Sequence, residues 1–263
     1  MNSALDDIAF LANSENRVAV FETLVEGRRS RNEVRDQVDA SRVTIARILR
    51  EFEDRNWIEN SGQSYEMTPL GEWVCDEFTQ LMEEMEVENQ LREPLQWLPT
   101  DIVTFDVRCL RDAEIILLDG SDATALIRRI VEFHRSGDWV RGIARAAAPV
   151  FIENQWKLTV HGDTRVELVL TPEALDVIRN HPRSAQQFRE MLDEDNARYS
   201  ICEEIPISVG IVDGTVGINL TDKQGVLKAG LITDDETVCA WAVDLFETCR
   251  EKSRPVKPDA ITV

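Results

Sequence analysis

Arg47 and Arg50 stand three residues apart in Ser41-Arg42-Val43-Thr44-Ile45-Ala46-Arg47-Ile48-Leu49-Arg50-Glu51-Phe52-Glu53-Asp54. A guanidinium presents a planar fork of N–H donors, two of which match the O6 and N7 acceptors of guanine. At about 100° per residue, Ile45, Ile48, Leu49 and Phe52 fall on one helix face. Val43, Arg47, Arg50 and Asp54 fall on the other, with Thr44 and Glu51 at its flank. The first face suits a core. On the second, Arg47 or Arg50 can meet a base edge, while Val43 and the Thr44 methyl can meet a thymine methyl. Ser41 and Arg42, at the helix start, suit a phosphate. From Arg28 to Arg50, seven arginines (Arg28, Arg29, Arg31, Arg35, Arg42, Arg47, Arg50) face three acids, a window of +4 in a chain of formal net charge -20. Such an island would aim this segment at double-stranded DNA while the acidic remainder stays off it. Ion pairs Arg47–Glu51 and Arg50–Asp54 at i,i+4 are the competing use of the same side chains.

Elements must hold that helix in place. Ile8, Leu11, Val18, Phe21, Leu24 and Val25 predict one helix over Asp6–Glu26, ended by Gly27. Ser30 and Glu33 form a capping-box pattern that opens a second helix, running to about Val38. After the turn Asp39-Ala40-Ser41 the arginine helix runs to about Arg55, with Asn56 in the left-handed position. Trp57–Glu59 and Ser64–Met67 read as a hairpin around Asn60–Gln63. Thr68-Pro69 then caps and starts a long helix to about Glu93. Helix, helix, turn, helix, hairpin, helix is the order of a winged helix-turn-helix. The wing tip, Asn60 to Ser64, has no basic residue, which leaves its DNA contacts to amides and hydroxyls.

On the long helix Val74, Phe78, Leu81 and Met85 repeat at helical spacing, extended by Leu70 and Trp73. Two uses stay open: packing onto their own domain, or pairing with a second copy in a homodimer. A dimer would read two half-sites about 34 Å apart. Pro94 and Pro99 mark a hinge. The expected domains are therefore residues 1–68, a winged helix-turn-helix; 69–98, a linking and dimerisation helix with its hinge; and 99–263, an α/β regulatory (sensor) domain.

In that last domain strands are expected at Glu114–Leu118, Trp139–Ala144, Val166–Leu170, Arg198–Cys202, Ile207–Val212, Thr215–Leu220 and Val226–Ile232. Helices are expected at Ser121–Arg135, Ala148–Val160, Pro172–Asn180, Ser184–Glu194 and Asp235–Lys252. The alternation reads as α/β with a late antiparallel meander, and Asp213-Gly214 is its firmest hairpin turn. Arg141 and Arg145 follow Trp139, and Thr171-Pro172 opens a helix after another strand. Strand carboxyl ends and helix N-termini hold anions, so Arg141, Arg145 and Thr171 are candidates for a small acidic or phosphorylated effector. Ordinary capping and surface charge is the plainer reading.

No nucleotide-binding glycine motif and no nucleophile–base–acid set is legible. His134, His161 and His181 lack metal spacing, and Cys75, Cys109, Cys202, Cys239 and Cys249 contain no C-x-x-C pair. The cysteines read as free thiols, buried as small apolar residues or sensing redox state. No catalytic residue, cofactor or metal is expected. The start Met1–Phe10 lacks a basic, apolar leader, and no run of about eighteen apolar residues occurs, so a cytoplasmic protein away from the membrane is expected. Five lysines against 24 arginines, with 49 acids, suit concentrated salt and a halophile; an ordinary acidic protein is the alternative.

The runs Phe10–Val34, Ser41–Glu59 and Tyr65–Phe78 resemble archaeal winged-helix transcription regulators. Leu95–Asp101, Val169–Arg179 and Val209–Ala242 resemble the FilR-type methanogenesis-regulator domain attached to many of them, often in halophilic archaea. The resemblance implies a DNA-binding regulator with a non-catalytic effector domain; a winged-helix protein-interaction module without DNA binding is the alternative. The second domain is also distantly similar to the phospholipase D fold, as in TrmB-type sugar regulators. That chemistry needs His and Lys two residues apart on the strand before the Asp213 turn, which here reads Pro206-Ile207-Ser208-Val209-Gly210, with neither.

Overall fold

The structure is a computed structural model that describes residues 3–118, 124–257 and 261. The chain divides into two compact units, Met1–Glu88 and Asn89–Val263.

The first unit runs α1 (Ala4–Ala12), α2 (Glu15–Val25), β1 (Arg29–Ser30), α3 (Arg31–Gln37), α4 (Arg42–Glu53), β2 (Ile58–Ser61), β3 (Ser64–Met67) and α5 (Pro69–Leu91). The single helix expected over Asp6–Glu26 is two. Ser14 is extended (φ -157, ψ 104) and its carbonyl accepts from Arg17 N at 2.9 Å, restarting the helix. Asn13 and Ser14 are residues whose side chains favour helix ends over helix interiors. The break lets Phe10 reach Phe52 and Trp57, each at 6.0 Å between ring centroids, while Phe21 stacks on Trp57 at 5.4 Å.

The Ser30–Glu33 capping box forms, and Ser41 Oγ accepts from Thr44 N at 3.1 Å to open α4. Asn56 takes the left-handed conformation (φ 57). The wing is tighter than expected: β2 extends to Ser61, opposite Ser64, and only Gly62 and Gln63 turn. β1 adds a third strand, in the order β1-β3-β2. Thr68 Oγ1 accepts from Gly71 N at 3.0 Å to cap α5. A Cβ on Gly71 would lie 1.9 Å from the Trp57 carbonyl oxygen, so glycine lets α5 start against the hairpin. The division between the two units falls inside α5, and Cys75 and Phe78 are buried in the winged-helix core. The Pro94–Trp97 turn and buried Leu98 belong to the second unit.

The second unit continues with β4 (Glu114–Leu117), α6 (Ala125–His134), β5 (Trp139–Ala144), α7 (Pro149–Thr159), β6 (Arg165–Leu170), α8 (Pro172–Arg179), α9 (Pro182–Leu192), β7 (Ala197–Ile201), β8 (Ser208–Val212), β9 (Thr215–Thr221), β10 (Leu227–Thr233), α10 (Glu236–Glu251) and β11 (Arg254–Pro255). The start of the helix expected from Ser121 lies outside the described residues. One eight-stranded sheet has the order β11-β7-β6-β5-β8-β9-β10-β4. β5, β6 and β7 are parallel, and the remaining pairs are antiparallel.

Asp213 (φ 46) and Gly214 (φ 92) make the two-residue turn between β8 and β9. The Asp213 carboxylate accepts from Asp138 N at 2.9 Å and Trp139 N at 3.2 Å. Phe188 and Met191 of α9 pack with Val166 and Tyr199 in the core. Glycines on adjacent strands admit α6 closely: a Cβ on Gly210 would stand 3.1 Å from His134 Nε2, one on Gly217 2.8 Å from Phe133, and one on Gly230 2.9 Å from Leu126.

Candidate nucleic-acid interface and effector cavity

Helix α4 divides as its periodicity dictates. Ile45, Ile48, Leu49 and Phe52 are buried to 1% or less, while Val43 is 79% exposed. Arg42 and Arg50 are exposed, and no hydrogen bond or ion pair engages their guanidinium groups among the described residues. Arg47 donates to Glu51 at 3.0 Å, the i,i+4 pair. Glu51 also receives Arg17 at 3.4 Å. Thr44 is half-buried, with Oγ1 2.9 Å from Ser41 Oγ. Ser41 therefore serves as the helix cap, leaving the first backbone N–H groups for an anion.

Four other arginines of the basic window already have work, Arg35 among them through Asp36 at 2.8 Å. Arg28 donates to Glu66 at 2.8 Å, which holds the Glu66 carboxyl below its ordinary range. Arg29 reaches Glu26 at 3.3 Å, and Arg31 donates to the Tyr65 hydroxyl at 2.6 Å. The last three pairs tie β1 and the start of α3 to the wing and to the chain after α2.

The stripe on α5 splits. Phe78 is buried in its own unit, and half-buried Val74 is packed against the same core. Leu81 (46%) and Met85 (48%) are exposed, as are Leu70, Trp73 and Met82. Ile8, Leu70, Trp73 and Leu81 line an open groove of about 900 Å³ within this unit.

In the second unit a cavity of about 820 Å³ opens at the carboxyl ends of the parallel strands. Arg145, Thr171 and Cys202 line it, and each directly follows the last residue of β5, β6 or β7. Arg145 donates to the Pro206 carbonyl at 3.1 Å, and its backbone N donates to Ser208 Oγ at 3.0 Å. Thr171 Oγ1 donates to the Arg145 carbonyl at 3.1 Å and accepts from Ala174 N at 3.2 Å, capping α8. Glu173, Glu203 and Glu204 add carboxylates, while Lys252 and Cys249 arrive from the end of α10. Arg141 is not in this cavity: it lies mid-strand, its guanidinium 4.2 Å from the Trp139 ring centroid. Arg141 is four residues short of Arg145, about 13 Å along an extended strand, which keeps it away from the strand end.

Residues 5–90 match the family model of the HVO_A0261 N-terminal domain, and residues 123–252 match the middle domain of methanogenesis regulatory protein FilR1. The first match falls largely in the winged-helix unit and the second in the sheet unit. No match is found among curated proteins. Among solved structures, TrmBL2, an archaeal chromatin protein with a novel mode of DNA binding, aligns at 14% identity over 97% of this chain and 100% of its own, with a TM-score of 0.43. Nuc, a phospholipase D family member from Salmonella typhimurium, aligns at 13% identity over 56% of this chain and 98% of its own, with a TM-score of 0.42.

Within the second unit, the strand ends in the sequence point to Arg145 and Thr171 as cavity residues. Cys202 was missed as a cavity residue, although it holds the same position after its strand. Lys252 and Cys249 carried no signal, because only the sheet order brings the end of α10 to that edge. No helix among the described residues is long and apolar enough to cross a membrane.

Proposed function

We propose that the protein is a sequence-specific DNA-binding transcription regulator of the archaeal, salt-adapted kind, with α4 as its reading helix. The observation that carries this is the outward face of α4, where Arg42 and Arg50 stand unpaired beside an exposed Val43, on a helix whose other face is fully buried. Arg50 is the base-reading side chain and Arg42 a phosphate contact. Arg47 joins them by leaving Glu51, and Arg28, Arg29 and Arg31 shape the wing. The FilR1-type domain is the sensor, with Arg145 and Thr171 in the strand-end cavity as the anchor for a small acidic effector. A homodimer completes the reading, built on Leu81 and Met85 with Leu70, Trp73 and Met82, because one reading helix covers only a half-site. Cytoplasmic residence follows from a DNA target.

The test uses duplexes that the full chain selects from a random pool. Arg50→Ala is expected to weaken binding by roughly 10- to 100-fold with relaxed sequence preference, the cost of about 1–3 kcal/mol for one lost bidentate contact. Arg42→Ala is expected to weaken all sequences alike and to lower the salt slope. If both variants, folded as the parent, bind the selected duplex as tightly as the parent does, α4 is not the reading helix. The exposed apolar strip of α5 favours the second reading, a protein-interaction module. Failure to select any duplex across a range of salt would move the assignment there.

A further inference from the structure

Two thiols meet at the strand-end cavity. Cys202 directly follows β7, and its Sγ donates to the Glu204 carbonyl at 3.4 Å. Cys249 lies in the last turns of α10 and lines the same cavity wall, close enough for its thiol to be influenced by Cys202. Both residues are 3% exposed, yet both line the open 820 Å³ cavity. Bulk solvent and large reagents are thus held off while a small molecule has a path. Buried cysteines are commonly inert apolar filler. Filler, however, gives no reason for two thiols from distant parts of the chain to line one open cavity beside an arginine and a lysine. The other cysteines are placed differently: Cys75 is buried in the winged-helix unit, and Cys239 donates to the Gly214 carbonyl at 3.0 Å.

We propose that Cys202 and Cys249 are a redox-active dithiol that closes to a disulfide when a small hydroperoxide enters the cavity, stapling the end of β7 to the end of α10. Cys202 sulfur attacks the peroxide oxygen: an S–O bond forms, the O–O bond breaks, and the departing oxygen leaves as water or alcohol with the thiol proton. Cys249 sulfur then attacks the sulfenic sulfur of Cys202, an S–S bond forms, and water leaves with the second proton. Two thiols are oxidised by two electrons in all, and one peroxide is reduced. Burial pushes the Cys249 thiol up to about 11, which disfavours it as the first attacker.

The experiment treats the full chain with hydrogen peroxide and maps it by mass spectrometry, and it needs no DNA. The expected product has lost two hydrogens and yields one cross-linked peptide joining Cys202 to Cys249, which dithiothreitol releases. Cys249→Ser is expected to stop at a Cys202 sulfenic acid that dimedone traps, and Cys202→Ser to give no bridge. If Cys249→Ser does not fold, the peptide map of the parent chain decides alone. Two thiols still open to iodoacetamide after peroxide, or bridges that run instead to Cys75, Cys109 or Cys239, would overturn the assignment.

Discussion

To touch a base, Arg47 must give up its 3.0 Å pair with Glu51, an exposed contact worth up to about 1 kcal/mol. Arg50 gives up nothing. That difference between neighbours one turn apart was invisible on a helical wheel, which placed both on the same face. The sequence offered an i,i+4 partner to each, Glu51 to Arg47 and Asp54 to Arg50, and among the described residues only the first pair forms, with Arg17 from another helix also on Glu51. Arg141 lies in the middle of Trp139–Ala144, a strand whose bounds were legible in the sequence, so its distance from the strand end was legible too.

His134 carries a consequence at the same scale. It is buried on α6, and burial lowers its pKa from 6.5 to about 4. The folded chain therefore refuses a proton that the unfolded chain accepts between those values. Stability is full above about pH 6.5 and is lost as pH falls toward 4, on the order of 3 kcal/mol in total. Urea titrations at about pH 7 and about pH 4.5 are expected to show this loss, and His134→Gln to flatten it. An unchanged slope in the variant would assign the acid sensitivity to other groups.

Among elements, the legible ones carried local punctuation. The Ser30–Glu33 box, the Thr68 cap and the Asp213-Gly214 turn are short-range signals, and each forms as its residues dictate. β1 and β11 are two-residue strands whose partners lie far along the chain, so no periodicity announces them. The α1–α2 break was masked because apolar spacing runs on across Asn13 and Ser14. Phe78 shows the same limit: its stripe reads alike whether it faces a core or a second copy. Gly71 offers a direct test of how α5 is seated. Gly71→Ala would force a methyl into the Trp57 carbonyl, and a loss of about 2–3 kcal/mol is expected in chemical denaturation, the scale of overpacking. A neutral result would mean that the first turn of α5 can lift off the hairpin at little cost.

For the whole molecule, charge is the dominant quantity. A net -20 repels itself through water, and the Debye length shrinks from about 10 Å at 0.1 M to about 3 Å at 1 M salt. The melting temperature is expected to rise by several degrees as KCl is raised from about 0.1 M to about 2 M. A flat melting curve series would show that the acidic surface does not set stability. The same screening opposes phosphate contacts, so DNA affinity and fold stability should respond to salt in opposite directions.

The glycines under α6 also fix an order of events. Gly210, Gly217 and Gly230 sit on β8, β9 and β10, and the shallow bed they make for Phe133, His134 and Leu126 does not exist until those three strands have paired. The helix precedes them in the chain and must wait for them. During synthesis α6 therefore leaves the ribosome well before its seat is built, with its apolar side uncovered in the interval.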